Sequence, residues 1–291
     1  MKDLYSFLRI NHWFKNLFLC LGVTLASLQH GIEFSPELFL KTIIAFLLAS
    51  MVSSANYIIN QITDKEFDAE HPDKKLRPLP SKRVSLKTAN FLIIVLLAVS
   101  LPAAHLLFSE IFFISLLILF LAGIFYNIRP IRLKDIPYID VLAESFNNPI
   151  RFILGWFVVI STVPSLFVLL FTWSLGAFFM TAKRYDEFSF YGKNLVLYRH
   201  TFKIYTLKKL EYLMYIYQLF TLIFLGVVLS ARWQKFLPVL PVVTLFFFWV
   251  SKKVVSGEAK ARSIESFVLS RNFLIRIFIM FTAGVILFLW H

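Results

Sequence analysis

Cysteine is almost absent. Cys20 stands alone, so no disulfide can form within the chain and no cysteine-based metal site is available. Charge is scarce as well: Asp, Glu, Lys and Arg make up 16% of the 291 residues, less than a water-soluble domain of this length carries. Acid is the rarer sign, with 17 Asp and Glu against 30 Lys and Arg, for a net charge of +13. A cleavable signal peptide is not expected either. Lys2, Asp3, Arg9 and Lys15 crowd the start, and no small-residue cleavage site follows the first apolar stretch.

What fills the chain instead is apolar. Hydrophobic residues reach 58%, mean hydropathy is +0.73, and Phe alone occurs 34 times, which suits a lipid-facing surface. A basic chain can also signal nucleic acid. Here the cations sit in short loops between apolar stretches, so a membrane is expected and no nucleic-acid partner.

A bilayer core of roughly 30 Å takes about 20 apolar residues as a helix, and about nine such stretches are readable. They lie near 14–29, 38–61, 88–107, 110–127, 139–160, 164–183, 208–230, 236–251 and 272–290. The eighth carries Pro238 and Pro241, which predict a kink or a partly re-entrant segment. One alternate set of loops holds nearly all the cations, including Lys65, Lys74, Lys75, Arg77, Arg129, Arg132, Lys134, Arg184, Arg199, Lys252 and Arg271. The opposite set has little beyond Arg232 and Lys235. By the positive-inside rule the N-terminus is cytoplasmic, His291 is outside, and the long loops 62–87 and 184–207 lie inside. The expected fold is all-α: a single domain over 1–291, a polytopic bundle in the plasma or inner membrane.

Two polar clusters stand out against this background. Asn56, Asn60, Asp64 and Asp68 recur every four residues, a spacing that stacks them on one face of a helix. They fall at the C-terminal end of the second stretch, where the helix dipole disfavours each exposed carboxylate by about 0.3–1 kcal/mol. A divalent cation reverses that penalty, and hard oxygen ligands suit Mg²⁺. His71-Pro-Asp-Lys74-Lys-Leu-Arg77-Pro78 follows at once, and metal-bound acids beside a cluster of cations suit a diphosphate. The second cluster, Lys183-Arg184-Tyr-Asp-Glu187, ends the sixth stretch; Lys183 and Glu187 are spaced for a surface ion pair or for an opposing wall of the same site. Within the fifth stretch lie Asp140, Glu144, Asn147, Asn148 and Arg151. A charge at bilayer depth costs at least about 2.5–3.5 kcal/mol, so such groups face a polar cavity or pair with each other, Arg151 with Glu144 or Asn147. Lys15, beside Trp13 and Asn16, either snorkels to the interface or reaches a phosphate.

These residues resemble the UbiA-type prenyltransferase superfamily, with its nine transmembrane helices around a central cavity. Asn60, Asp64 and Asp68 match the first Asp-rich motif; a further Asp often follows the Asn, where this chain has Gln61. Within the superfamily the chain is most similar to decaprenyl-phosphate phosphoribosyltransferases. Arg9, Trp13, Lys15 and Asn16 match one motif of that branch; His71, Pro72, Lys74, Arg77 and Pro78 match a second; Lys183, Arg184 and Glu187, with Arg199 downstream, match a third. The loop from Tyr126 to Lys134 looks longer than in that branch and more like a general prenyltransferase loop.

The resemblance implies an Mg²⁺-dependent transfer of a 5-phosphoribosyl group from 5-phosphoribosyl diphosphate to a polyprenyl phosphate at the cytoplasmic face. Asn60, Asp64 and Asp68 would hold the metal, with Asp64 and Asp68 catalytic. Lys15, Lys74, Arg77, Tyr126, Lys134, Arg151, Lys183, Arg184, Glu187 and Arg199 would bind substrates, and a homo-oligomer is compatible with the family. Two alternatives stay open: prenyl transfer from a polyprenyl diphosphate to an aromatic or other small acceptor, and a non-enzymatic lipid carrier.

Overall fold

In hydrocarbon no backbone N–H or C=O can stay unpaired, so apolar runs of bilayer length fold as helices. The computed structural model describes residues 2–197, 200–257, 268 and 270–290. The α-helices, in chain order, are α1 (Lys2–Phe7), α2 (Leu17–His30), α3 (Pro36–Thr63), α4 (Lys65–Glu70), α5 (Leu86–Leu107) and α6 (Glu110–Asn127). They continue with α7 (Ile139–Ser145), α8 (Asn147–Val159), α9 (Leu166–Tyr191), α10 (Leu207–Arg232), α11 (Leu240–Val255) and α12 (Arg271–Trp290). No strand occurs among the described residues.

Short polar residues set the helix starts. Ser35 Oγ accepts the N–H of Leu38 at the head of α3, and Pro36 takes the first turn, where its missing N–H costs nothing. Ser85, Ser109 and Thr206 accept in the same way from Thr88, Phe112 and Lys209 to open α5, α6 and α10. Among the described residues, six helical segments are long and apolar enough to cross a membrane: α3, α5, α6, α9, α10 and Gln234–Val255, which joins a 3-10 turn to α11. The change of helix type in that last segment falls at Pro238 and Pro241, where a kink was expected.

The chain divides into two compact units, one built on Met1–Pro164 and the other on Ser165–Val196 with His200–His291. In the first unit α3 packs against α5, α6 and α8. Half of the most apolar window of α3 is buried in protein but only 11% of that of α5, whose Phe91, Ile94 and Leu106 are more than 60% exposed. An apolar surface of that extent is a lipid-facing one. Helices α2 and α8 touch backbone to backbone. A Cβ at Gly22 would stand 2.1 Å from the Phe152 carbonyl oxygen, and one at Gly155 would stand 1.8 Å from that of Leu19. Small residues allow this approach between membrane helices. Gly155→Ala is therefore expected to destabilise the protein by about 1–3 kcal/mol, read as a lowered unfolding temperature in detergent; an unchanged temperature would contradict the close packing. In the second unit α9 and α10 run side by side, joined by Thr221 Oγ1 and Ser174 Oγ at 3.2 Å. Phe178 packs edge-on against Phe247 of α11, their centroids 5.0 Å apart.

Three expectations from the sequence are corrected. The fifth stretch is not one helix: it breaks at Phe146 into α7 and α8. Pro149 has no N–H to offer the Ser145 carbonyl, so the α-helical ladder cannot continue across that turn. The four-residue ladder does not lie on one continuous helix. Asp64, with φ −102° and ψ 4°, ends α3, and Asp68 belongs to α4. Helix α9 does not stop near residue 183. It runs on to Tyr191 and ends at Gly192, whose φ of 62° is open to glycine, so Lys183, Arg184 and Glu187 stand inside the helix rather than at its end.

Candidate functional site

The site grows from the two ends of α3 and α6. Each helix leaves carbonyls without intrahelical partners at its C-terminus. Arg132, in the loop after α6, answers both: its Nη1 donates to the Thr63 carbonyl at 3.4 Å and to the Asn127 carbonyl at 3.2 Å. A cation there also suits the negative ends of two helix dipoles. Nη2 reaches Asp64 Oδ1 at 2.9 Å, Nε reaches Asp135 Oδ2 at 2.6 Å, and the guanidinium lies 5.9 Å from the Phe67 ring centroid. Arg132 holds this position in the left-handed backbone region, φ 35°, at a cost of about 1–3 kcal/mol that the surrounding bonds offset.

Lys134 closes the other side. Its Nζ lies 2.7 Å from Asp64 Oδ1, 3.0 Å from Asn127 Oδ1 and 3.2 Å from Thr63 Oγ1, matching the three donors of an ammonium. Asn60 Nδ2 donates to Asp64 Oδ2 at 3.1 Å and to Asn127 Oδ1 at 2.6 Å. Asp64 thus carries two buried cations and one amide. Asp68, 3% exposed, pairs with Arg77 Nη1 at 2.5 Å. Arg77 is placed by a turn that His71 organises: His71 Nδ1 accepts the N–H groups of Asp73 and Lys74. Leu79 anchors the same segment in a small core with Phe7, Ile58 and Ala89.

Below this hub a polar cavity opens within the first unit. Its walls include Ser53, Asn56 and Asn60 of α3, Tyr126 and Asn127 of α6, and Glu144, Asn147 and Arg151 of α7 and α8. Arg151 is not tied to Glu144 or Asn147 by the bonds expected of it. Its Nε donates to Asn16 Oδ1 at 2.8 Å and its Nη1 to Asn148 Oδ1 at 3.4 Å, while Asn16 Nδ2 donates to Ser50 Oγ at 2.8 Å. Asp140 is fully buried in α7 and does not line the cavity.

The structure therefore brings Asn60, Asp64, Lys134, Tyr126 and Arg151 around one connected region, with Asp68 and Arg77 on the adjoining α4 segment. Lys15 sits on a 3-10 turn next to Asn16, the partner of Arg151. Lys74 lies on the 3-10 turn Lys74–Leu76. In the second unit Arg184, 1% exposed, pairs with Glu187 at 2.8 Å, and Lys183 precedes it on α9. Arg199 lies outside the described residues. Sequence reasoning missed two members. Arg132 counted only as a loop cation, and Asn127 carried no signal beyond its place at a helix end. Gln61 is settled as well. It is buried, and its Nε2 donates to the Phe7 carbonyl at 3.0 Å, so it ties α1 to α3 and does not join Asp64.

For a divalent cation the donor chemistry fits: two carboxylates and an amide oxygen are hard ligands. Among the described residues no three His, Cys, Asp or Glu side chains cluster closely enough to hold a metal alone. Mg²⁺ typically takes one or two carboxylates and completes its shell with substrate phosphate oxygens and water, which is what this donor set leaves for it.

Comparison with known proteins gives the same direction. Over 201 residues the chain is 29% identical to the decaprenyl-phosphate phosphoribosyltransferase of Mycobacterium tuberculosis (strain ATCC 25618 / H37Rv), covering 68% of this chain and 64% of that protein. The chain thus spans just under two thirds of that relative's length. It is 29% identical over 138 residues to the digeranylgeranylglyceryl phosphate synthase of Sulfurisphaera tokodaii, covering 46% of this chain and 48% of that one. The structure of a UbiA homolog from Archaeoglobus fulgidus bound to GPP and Mg²⁺ superposes with a TM-score of 0.73 over 98% of this chain and 99% of that one. At 20% identity, that likeness speaks for the fold alone. Residues 16–278 match the UbiA prenyltransferase family, and with six apolar helices of membrane-crossing length among its described residues the chain is an integral membrane protein of that family.

Proposed function

We propose that the protein is a membrane-embedded, Mg²⁺-dependent transferase that moves a 5-phosphoribosyl group from 5-phosphoribosyl diphosphate to a polyprenyl phosphate. The observation that carries this reading is the pairing of Asp64 and Asp68 with Arg132, Lys134 and Arg77 near the ends of α3, α4 and α6. Acids for a metal and cations for phosphate oxygens stand in contact, which is the charge pattern a metal diphosphate needs. The likeness to the mycobacterial phosphoribosyltransferase supports the choice of donor.

Asn60, Asp64 and Asp68 would hold the metal, which when bound supplies charge neutralisation to the departing diphosphate. Lys134 and Arg77, freed from the carboxylates by that charge, would turn to phosphate oxygens, while Arg132, bonded to both helix ends, would keep Asp64 oriented. Lys15, Lys74, Lys183, Arg184 and Arg199 would serve the remaining phosphates, with Tyr126, Arg151 and Glu187 as further substrate contacts. A phosphate oxygen of the lipid attacks the anomeric carbon. The bond from that carbon to the diphosphate oxygen breaks, and its electron pair leaves with the diphosphate. The nucleophile is already ionised near neutral pH, so alignment and leaving-group stabilisation supply the catalysis. By the positive-inside rule the chemistry would lie on the cytoplasmic side of the plasma or inner membrane, in a chain of nine spans with a cytoplasmic N-terminus.

Prenyl transfer is the second reading, favoured by the likeness to digeranylgeranylglyceryl phosphate synthase. Membranes containing the protein, given labelled 5-phosphoribosyl diphosphate and separately a labelled prenyl diphosphate, decide between them. Label is expected in a polyprenyl phosphate product from the sugar donor only. Transfer from the prenyl donor alone would overturn the proposal.

A further inference from the structure

The cavity beneath the Asp64 hub holds buried polar oxygens that no protein group partners. Asn56 gives its Nδ2 to the Leu119 carbonyl at 2.9 Å, which leaves its Oδ1 buried with no protein partner. Gly123 leaves room for that side chain, since a Cβ there would stand 2.1 Å from it. Ser53 is 4% exposed, and its Oγ is likewise buried without a partner. Glu144 adds a carboxylate that forms no salt bridge among the described residues. Arg151, also in the lining, gives its Nε to Asn16 and its Nη1 to Asn148. Buried polar atoms are rarely left unpaired, and an ionisable group at bilayer depth marks a functional pocket.

A ligand that satisfies Asn56 Oδ1 and Glu144 must bring donors, while the Ser53 hydroxyl can donate or accept. An isoprenoid chain brings none and would leave Glu144, Arg151 and the amides desolvated against hydrocarbon. A phosphate brings acceptors and negative charge, which Glu144 opposes. A ring carrying hydroxyls fits, because each hydroxyl donates one hydrogen bond and accepts others. The cavity is small and opens on one side rather than being sealed. It shares Asn60 and Asn127 with the hub, so a group joined directly to a diphosphate at Asp64 would enter it.

We infer that this cavity receives the hydroxyl-bearing ring of the donor, with Glu144 and Asn56 accepting from ring hydroxyls and Ser53 closing the inner wall. The inference rests on the proposed function and assigns its donor specificity to Glu144. A prenyl diphosphate would be refused at the cavity rather than at the metal, because both donors present the same diphosphate to the hub.

The test is a comparison of wild type with Glu144→Gln and Ser53→Ala, using 5-phosphoribosyl diphosphate as donor and magnesium diphosphate as competitive inhibitor. Loss of one charge-assisted hydrogen bond should raise the donor KM about tenfold or more in Glu144→Gln, with a smaller rise in Ser53→Ala. The inhibition constant of magnesium diphosphate should stay within about twofold of wild type in both variants, since that ligand lacks a ring and reports an intact, folded hub. An unchanged donor KM in both variants would overturn the cavity assignment and leave the proposed function standing. An equal rise in donor KM and in the diphosphate inhibition constant would also overturn it, by showing that Glu144 acts on the hub. A wild-type protein that turns over only a prenyl diphosphate would overturn the function and the cavity assignment together.

Discussion

Asp68→Asn should abolish group transfer while the protein still inserts in the membrane in normal amount. The substitution keeps the shape of the side chain and removes the charge a divalent cation needs. Alteration of groups that merely support a metal ligand costs about 10–100-fold, so loss of a ligand itself should cost at least about a hundredfold. Asp68 is the cleaner of the two acids to test. Its partner Arg77 is 27% exposed on its side chain and can turn to water when the carboxylate is lost. Asp64 is different: Arg132 and Lys134, 9% and 5% exposed, would both lose that buried carboxylate. An Asp64→Ala variant would mix folding with catalysis. Transfer by Asp68→Asn at close to the wild-type rate, in protein purified to the same yield, would remove Asp68 from the metal site.

The second large effect is expected at Arg132. Arg132→Ala removes the donors to Thr63, Asn127, Asp64 and Asp135 together. Breaking a buried ion pair from one side costs about 3–5 kcal/mol, and the lower end applies because Asp64 keeps Lys134. Arg132→Lys should recover little of this, since an ammonium cannot reproduce a planar fork reaching two helix ends and two acids. Thermal unfolding in detergent would show the loss. Transfer assays below the unfolding temperature should show a raised requirement for Mg²⁺, because Asp64 loses part of its orientation. Wild-type unfolding and wild-type Mg²⁺ dependence in Arg132→Ala would mean that the loop does not position Asp64.

The membrane character of the chain was legible directly. Apolar stretches of bilayer length appear as helices, and their starts fall where Ser and Thr stand next to them, because capping is local and needs no distant partner. The acids at the end of α3 were legible for the same reason, since charges are rare there. Local effects also explain two misreadings. Pro149 splits the fifth stretch, and its missing N–H is visible in the sequence, but a 20-residue apolar count passes over it. The regular spacing of Asn56, Asn60, Asp64 and Asp68 suggests one face, yet the helix ends at Asp64, and Asn56 turns to the Leu119 carbonyl of α6.

The sequence by itself determined that this is a helical membrane protein with carboxylates and cations gathered near residues 60–78, because hydropathy and charge scarcity are properties of single residues and their near neighbours. It could not say which cation meets which acid. Arg132 and Asp64 are 68 positions apart, and only the packing of α3 against α6 brings two helix ends together so that one guanidinium serves both. Gln61 and Asn60 are adjacent in sequence yet face opposite tasks, one tied to α1 and the other to the site, since neighbours on a helix point about 100° apart. The acceptor-rich cavity is likewise tertiary. Ser53, Asn56 and Glu144 share no sequence motif, and their unspent oxygens meet only where α3, α6, α7 and α8 enclose a common space.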